Sequence, residues 1–229
     1  MTIVAVTGLA REARLVAGPD IVTIVSAGDI ASLERRLAGP LPQGIRGMLS
    51  VGICGALSPA LKVGDIVVAS AICYGGKSFE ADRAWTREIA RRLPGSVVAP
   101  IAGSDAIIAD RVAKERLYTA TGASAVDMES GSTVRAARAR NLPFAALRVV
   151  SDGAKRNLAP AACLALGSDG RPDLKAVLQS VVARPQQIPA LIRTAFEAER
   201  AFAVLFRCRD VFHASLAAAN LGQLAVDMS

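Results

Sequence analysis

The apolar positions of the chain fall into short β-branched runs separated by stretches with helical spacing. Thr2 to Thr7 runs into Gly8, Ile21 to Val25 leads to Gly28, and Met48 to Val51 stops at Gly52. Each reads as a strand closed by glycine. The same pattern predicts strands at Asp65 to Ala71, Ser96 to Ile101, Ala123 to Val126 and Phe144 to Val150. Between them, apolar residues recur with the period of an amphipathic helix over Ile30 to Leu37, Asp82 to Leu93, Ile108 to Thr121 and Glu129 to Ala139. From about Leu158 the character changes. A turn cluster at Gly167 to Pro172 precedes a short helix from Pro172 to Val182, and Pro185 and Pro189 punctuate the entry to a long amphipathic helix from Ile188 to about Val211.

Strands that are apolar almost throughout and alternate with helices imply an α/β fold. The expected architecture is a three-layer αβα arrangement with a twisted, mostly parallel central sheet and a C-terminal helical extension. We expect one domain over residues 1–229, with 158–229 as a helical appendage. Ligands of such sheets sit at the carboxyl ends of the strands. That rule directs attention to Gly8 to Glu12, Gly52 to Ala56, Ser104 to Ile107, Asp127 to Ser130 and Ser151-Asp152.

Composition sharpens this picture mainly by exclusion. The chain has 229 residues, 52% of them apolar and only 4% aromatic, so a single core must pack through aliphatic side chains. The net charge of +7 is spread as pairs such as Arg35-Arg36 and Arg91-Arg92, without aromatic interleaving or zinc-finger spacing, so nucleic acid is not the expected partner. Cys54, Cys73, Cys163 and Cys208 lie too far apart in sequence to suggest a disulfide framework or a zinc cluster, and no metal is expected. The one histidine, His213, would have to carry any Ser-His-Asp triad alone, and it reads as an ordinary surface or packing residue. The first residues enter a strand without a basic-then-apolar leader, and no apolar run of about 20 residues follows, so a cytoplasmic protein is expected.

Taken singly, the candidate motifs are ambiguous. Asp127-Met128-Glu129-Ser130, where a strand meets a helix, suits an N-cap as well as a ligand site. Asp152-Gly153 after a buried strand suits a turn. The glycines of Val51-Gly52-Ile53-Cys54-Gly55-Ala56 suit close packing as well as close approach of a ligand. No Walker lysine and no G-x-G-x-x-G is present. Their order is more informative: a glycine-rich turn, Lys62-Val63-Gly64-Asp65-Ile66-Val67-Val68, Gly103-Ser104-Asp105-Ala106, Val126-Asp127-Met128-Glu129 and Leu147-Arg148-Val149-Val150-Ser151-Asp152. From residue 2 to about 155 this series resembles the purine nucleoside phosphorylase and nucleosidase superfamily.

The resemblance implies cleavage of the N-glycosidic bond of an adenine nucleoside. Met128 would pack on the ribose and Glu129 would accept hydrogen bonds from its hydroxyls, beside Asp127. A carboxylate there steadies the positive charge that builds on the sugar. Asp152, oriented by Ser151, would protonate the departing purine, which leaves poorly as an anion. Gly55 and Cys54 of the glycine-rich turn would border the substrate.

Three departures from the family pattern bear on the chemistry. Methylthioadenosine nucleosidases carry Gly-Ala-Met-Glu-Glu-Glu after the first strand. Here the run is Gly8-Leu9-Ala10-Arg11-Glu12-Ala13, which puts Glu12 one residue out of register as the base that would activate water. Phosphorylases hold phosphate with an Arg-Val-Gly-Ser-Cys-Gly turn, whereas Ser50-Val51-Gly52-Ile53-Cys54-Gly55 lacks both the guanidinium and the hydroxyl. Hydrolysis therefore gains over phosphorolysis, with phosphate kept open as a co-substrate and Arg11, Arg14 or Arg46 as substitute holders. Ile107 stands where the family often places a Phe on the base, so aliphatic packing replaces ring stacking. No cofactor is implied.

The tail, including Ala154 to Ala162, Gly170-Arg171-Pro172 and Ala183 to Arg193, resembles the hopanoid-associated phosphorylase branch, whose members are assigned to removing adenine from adenosylhopane in hopanoid lipid biosynthesis. That resemblance implies a lipid-linked adenine nucleoside. The amphipathic helix then offers peripheral contact at the inner face of the membrane, or merely covers the sheet. A homodimer or larger homo-oligomer is also implied. The alternatives are a methylthioadenosine/adenosylhomocysteine nucleosidase or another purine nucleoside phosphorylase, and a non-catalytic nucleoside-binding or membrane-interacting protein.

Overall fold

The computed structural model describes residues 2–163, 173–209 and 211. The turn cluster expected at 167–172 and His213 lie outside the described residues. The strands are β1 (Thr2–Thr7), β2 (Ile21–Val25), β3 (Ile45–Ala56), β4 (Ile66–Tyr74), β5 (Lys77–Glu80), β6 (Val97–Gly103), β7 (Ala125–Asp127) and β8 (Phe144–Asp152). The helices are α1 (Ala10–Val16), α2 (Ile30–Ala38), α3 (Arg83–Arg92), α4 (Arg111–Thr121), α5 (Ser130–Arg138), α6 (Pro160–Cys163), α7 (Leu174–Ala183) and α8 (Ile188–Arg207).

Side-chain alternation along the strands builds the layers. On β8, Phe144, Ala146 and Val150 pack with Leu33 and Leu37 of α2 and Val134 and Ala137 of α5. The intervening Ala145, Leu147 and Val149 pack with Val16 of α1, Trp85 and Ile89 of α3, and Ala201, Phe202 and Leu205 of α8. Because successive residues point to opposite faces, β8 must be apolar on both, and it is buried along nearly its whole length. Aspartates cap the helices where the sequence needs them: Asp29, Asp82 and Asp110 accept from the backbone N–H of Ser32, Trp85 and Ala113 at 2.8 Å each.

The sheet is mixed, and this corrects the expectation of a mostly parallel one. Its order is β2-β1-β3-β7-β6-β4-β5, with β8 pairing both β3 and β4. The β1–β2, β1–β3, β3–β8, β4–β6 and β6–β7 pairs are parallel. The β3–β7, β4–β5 and β4–β8 pairs are antiparallel. Through β8 the strands β3, β7, β6 and β4 close on themselves. Continuous apolarity reports burial of both faces, which a closed mixed sheet under helices achieves as well as a parallel one.

Gly52 was expected to end β3, but the strand runs on to Ala56. The glycine has another purpose: a Cβ there would lie 2.7 Å from Glu12 Oε1. The pairing of β3 with β8 also changes register at its end. Cys54 faces Val150 and Gly55 faces Asp152, so Ser151 is bulged out. The long C-terminal helix stops at Arg207 and presents one face to the sheet. No helix among the described residues is long and apolar enough to cross a membrane.

Candidate functional site

The carboxyl ends of β1, β3, β7 and β8, with the segment after β6, converge on a cleft of about 220 Å³. The residues read from the sequence as catalytic or substrate-binding line it, whereas Arg11, Arg14 and Arg46 do not: Glu12 after β1, Cys54 and Gly55 on β3, Ile107 after β6, Asp127, Met128 and Glu129 at the β7–α5 junction, and Ser151 and Asp152 on β8.

The β7–α5 junction is organised by a residue to which the sequence reading gave no role. Arg148 is fully buried in the middle of β8, and its Nε donates to Asp127 Oδ2 at 2.6 Å. Its Nη2 donates to Ser50 Oγ at 2.6 Å and lies 3.6 Å from Glu129 Oε2. Asp127 Oδ1 in turn accepts from the N–H of Glu129 at 2.9 Å and of Ser130 at 2.7 Å, which caps α5. The carboxylate of Asp127 is thus spent on the helix and the arginine. Glu129 is the one that stands free toward the cleft, with Ser26 Oγ donating to Oε1 at 2.8 Å. Burial, reinforced by Asp127, raises the Glu129 pKa even though Arg148 and Ser26 oppose the shift. Burial also works against the Arg148 charge, but Asp127 and Glu129 more than offset it and hold the guanidinium above its ordinary pKa. Arg148 Nη1 is buried without a hydrogen-bond partner among the described atoms.

Glu12 sits on α1 and is 2% exposed. Its Oε2 accepts from the backbone N–H of Gly8 and Leu9, and its Oε1 from that of Ile53, all at 2.9 Å. Those bonds fix the carboxylate between the first turn of α1 and β3. Burial, then the nearby charge of Glu129, pushes its pKa up to about 7, against the pull of Arg148 and the backbone donors. A buried carboxyl group that titrates near neutrality suits a general base. The register offset seen in the sequence has not kept Glu12 out of the cleft.

Asp152, 6% exposed, closes the other side. Ser151 Oγ lies 3.2 Å from its Oδ1 and 3.1 Å from the Cys54 carbonyl oxygen, to either of which it can donate. Asp152 Oδ2 is ion-paired with Lys114, a fully buried lysine on α4 that the sequence reading passed over. Met128 and Ile107 contribute apolar lining, Ile107 at 42% exposure. Burial raises the Cys54 pKa well above the ordinary thiol value, so it lines the site as a neutral group.

Among the described residues that line the cleft, none is a lysine or arginine. Arg11, considered as a phosphate holder, instead pairs with Glu199 of α8 and stacks 4.3 Å above the Phe202 ring. Among the described residues no group of three or more His, Cys, Asp or Glu is arranged to hold a metal.

The fold has counterparts among known proteins. The chain matches the fold of a Streptococcus pneumoniae MTA/SAH nucleosidase solved with 8-aminoadenine, at a TM-score of 0.58 and 17% identity over 91% of this chain and 100% of that one. A Helicobacter pylori futalosine hydrolase superposes with a TM-score of 0.57 at 16% identity, covering 90% and 97% of the two chains. A Campylobacter jejuni 5'-methylthioadenosine/S-adenosyl homocysteine nucleosidase gives 0.55 at 17% identity, covering 87% and 98%. No curated protein matches the sequence. The sequence profile of the Phosphorylase superfamily matches residues 4–190, well over half of the chain, and the protein belongs to that superfamily.

Proposed function

We propose that this protein is a nucleosidase that hydrolyses the N-glycosidic bond of an adenine nucleoside. Glu129 and Met128 hold the ribose, with Asp127 keeping the Glu129 backbone in place. As the bond between the anomeric carbon and the purine breaks, its electron pair passes to the base, and Asp152 delivers a proton to a ring nitrogen so that neutral adenine leaves. Water adds to the anomeric carbon and gives its proton to Glu12. The observation that carries the reading is the placement of Glu12, a buried carboxyl group anchored by three backbone N–H groups, in the same cleft as Glu129 and Asp152; burial there pushes its pKa up to about 7. Water is favoured over phosphate because the cleft wall holds four carboxylates and, among the described residues, no cation. Adenine release measured with and without inorganic phosphate tests this; release that requires phosphate would overturn the choice of nucleophile.

The cleft is smaller than the roughly 300–1,000 Å³ usual for drug-sized ligands, so a nucleoside head fills it and any long substituent must leave through the mouth. An adenosine carried on a lipid, such as adenosylhopane, fits that division. The exposed Ile192, Phe196 and Phe206 on α8, with Arg193 and Arg207 on the same helix, support a surface that meets the lipid or its membrane. Co-sedimentation with anionic vesicles, abolished by Phe196→Ser, tests that part. A soluble methylthioadenosine or adenosylhomocysteine nucleosidase is the second reading, favoured by the position of Glu12. Adenine release compared across the three substrates decides between them. We take residues 1–229 as one unit that works as a homo-oligomer; Ile107, exposed on the cleft wall, and Val112 and Tyr118, exposed on α4, support a neighbouring subunit, which sedimentation velocity would detect.

A further inference from the structure

Lys114 stands out because α4 would be simpler without it. The inward side of this helix carries Ala113, Lys114, Leu117 and Thr121, so a charged residue occupies a core position. A fully buried ammonium is costly unless all its protons are taken up, and a buried ion pair is a poor source of stability compared with apolar packing. Here each proton has an acceptor. Lys114 Nζ pairs with Asp152 Oδ2 and donates to the carbonyl oxygens of Gly153 at 3.1 Å and Arg156 at 3.3 Å. All three acceptors belong to the end of β8 and the turn that follows it. The same turn is tied to the start of α4 twice more: the Leu158 N–H donates to the Ala109 carbonyl oxygen at 2.8 Å, and Asn157 Oδ1 accepts from the Arg111 N–H at 2.8 Å.

We propose that Lys114 is the positioning residue for the general acid. Its ammonium holds Oδ2 from behind the cleft wall, which leaves Oδ1, beside Ser151, as the oxygen that takes up a proton from solvent before each turnover and carries it into the cleft. When that proton passes to the purine, the carboxylate left behind already has its counter-charge in place. No solvent or side chain need reorganise at that moment. Lys114 has no free donor for substrate and does not line the cleft, so it acts only through Asp152. The inference rests on the reading of Asp152 as the acid.

The test compares two substrates. Adenosine needs its base protonated to leave, whereas nitrophenyl riboside expels a leaving group stable as an anion. Lys114→Met should lower kcat for adenosine by about 10²-fold or more, the usual worth of a positioned acid, while KM stays within a few-fold. Turnover of nitrophenyl riboside should fall far less. Equal losses on both substrates, or none on adenosine, would overturn the proposal, since a merely structural lysine would affect both alike. Should the single variant fail to fold, Lys114→Met combined with Asp152→Asn restores a neutral pair. The double variant should turn over adenosine no more slowly than Asp152→Asn alone, and a further loss there would also overturn it. If Asp152→Asn keeps full adenosine turnover, the acid assignment fails and Lys114 with it. If Asp152→Asn loses turnover and Lys114→Met does not, only the role of Lys114 fails.

Discussion

Replacing Glu12 by Gln should make the protein inactive and, above neutrality, relatively more stable. The folded state holds the Glu12 proton up to about pH 7, while in the unfolded chain the group titrates at 4.5. A raised folded pKa means that the folded state binds the proton more tightly, so the stabilisation is complete below pH 4.5 and is lost as pH rises through 7. Integrated between about pH 5 and about pH 8, that shift amounts to about 2.5 kcal/mol lost by the wild type and not by the variant. Gln carries a fixed cost of its own. If its oxygen keeps the bonds from Gly8 and Leu9, its amide nitrogen meets the Ile53 N–H, donor against donor, at a cost of about 1–3 kcal/mol independent of pH. The difference in unfolding free energy between the two proteins, from urea titrations at several pH values, should therefore swing toward the variant by about 2.5 kcal/mol across this window. A pH-independent difference would refute the assignment of a raised pKa to Glu12. Wild-type turnover should rise with pH through about 7 as the base ionises, and Glu12→Gln should show no such limb.

Other expected outcomes follow from the same geometry. Asp152→Asn should lower kcat on adenine nucleosides by about 10²–10⁴-fold while adenine still binds by calorimetry, and a variant with wild-type turnover removes Asp152 as the acid. Glu129→Ala should raise KM as well as lower kcat, because its carboxylate is the one left free for the sugar; an unchanged KM would contradict that. Gly52→Ala places a Cβ 2.7 Å from Glu12 Oε1, so turnover should drop by at least about tenfold from a displaced base, in a protein that still melts cooperatively. Arg148→Met strips Asp127 and Glu129 of their buried counter-charge, and chemical denaturation should show a loss of about 3–5 kcal/mol.

Much of this molecule was legible in its sequence, and the omissions have physical causes. β1 and β2 have the residue bounds that periodicity gave, since their apolar runs end at real turns. β5 was missed because Lys77–Glu80 is short and exposed, although Gly75 and Gly76, at φ of 57° and 71°, form the two-glycine hairpin turn that announces such a strand. α1 escaped because its seven residues are too few to show a period. The carboxylates of the cleft could be found because each sits at or just beyond a strand end, where the resemblance to the nucleosidases singled them out. The cations that serve them could not be found that way, since Lys114 and Arg148 approach from behind. Their signal was of another kind: a lysine on the inward side of a helix, and a lone arginine in an apolar strand. Each demands a buried anion as its partner.

The bulge at Ser151 has a consequence for how this site tolerates change. Arg148 and Asp152 are four residues apart on one strand, so simple alternation would turn them to the same side. Instead Arg148 reaches Ser130 on α5 and Asp152 reaches Lys114 on α4, and the register change opposite Gly55 separates them. The aim of the acid is therefore encoded by the number of residues in the strand as much as by their identity. Many single replacements around Ser151 can leave Asp152 pointing where it does, but one residue inserted in β3 opposite Ser151 would undo the bulge and return Asp152 to the side of Arg148, away from its lysine. A transplant of this site onto another scaffold has to carry the extra residue along with the side chains.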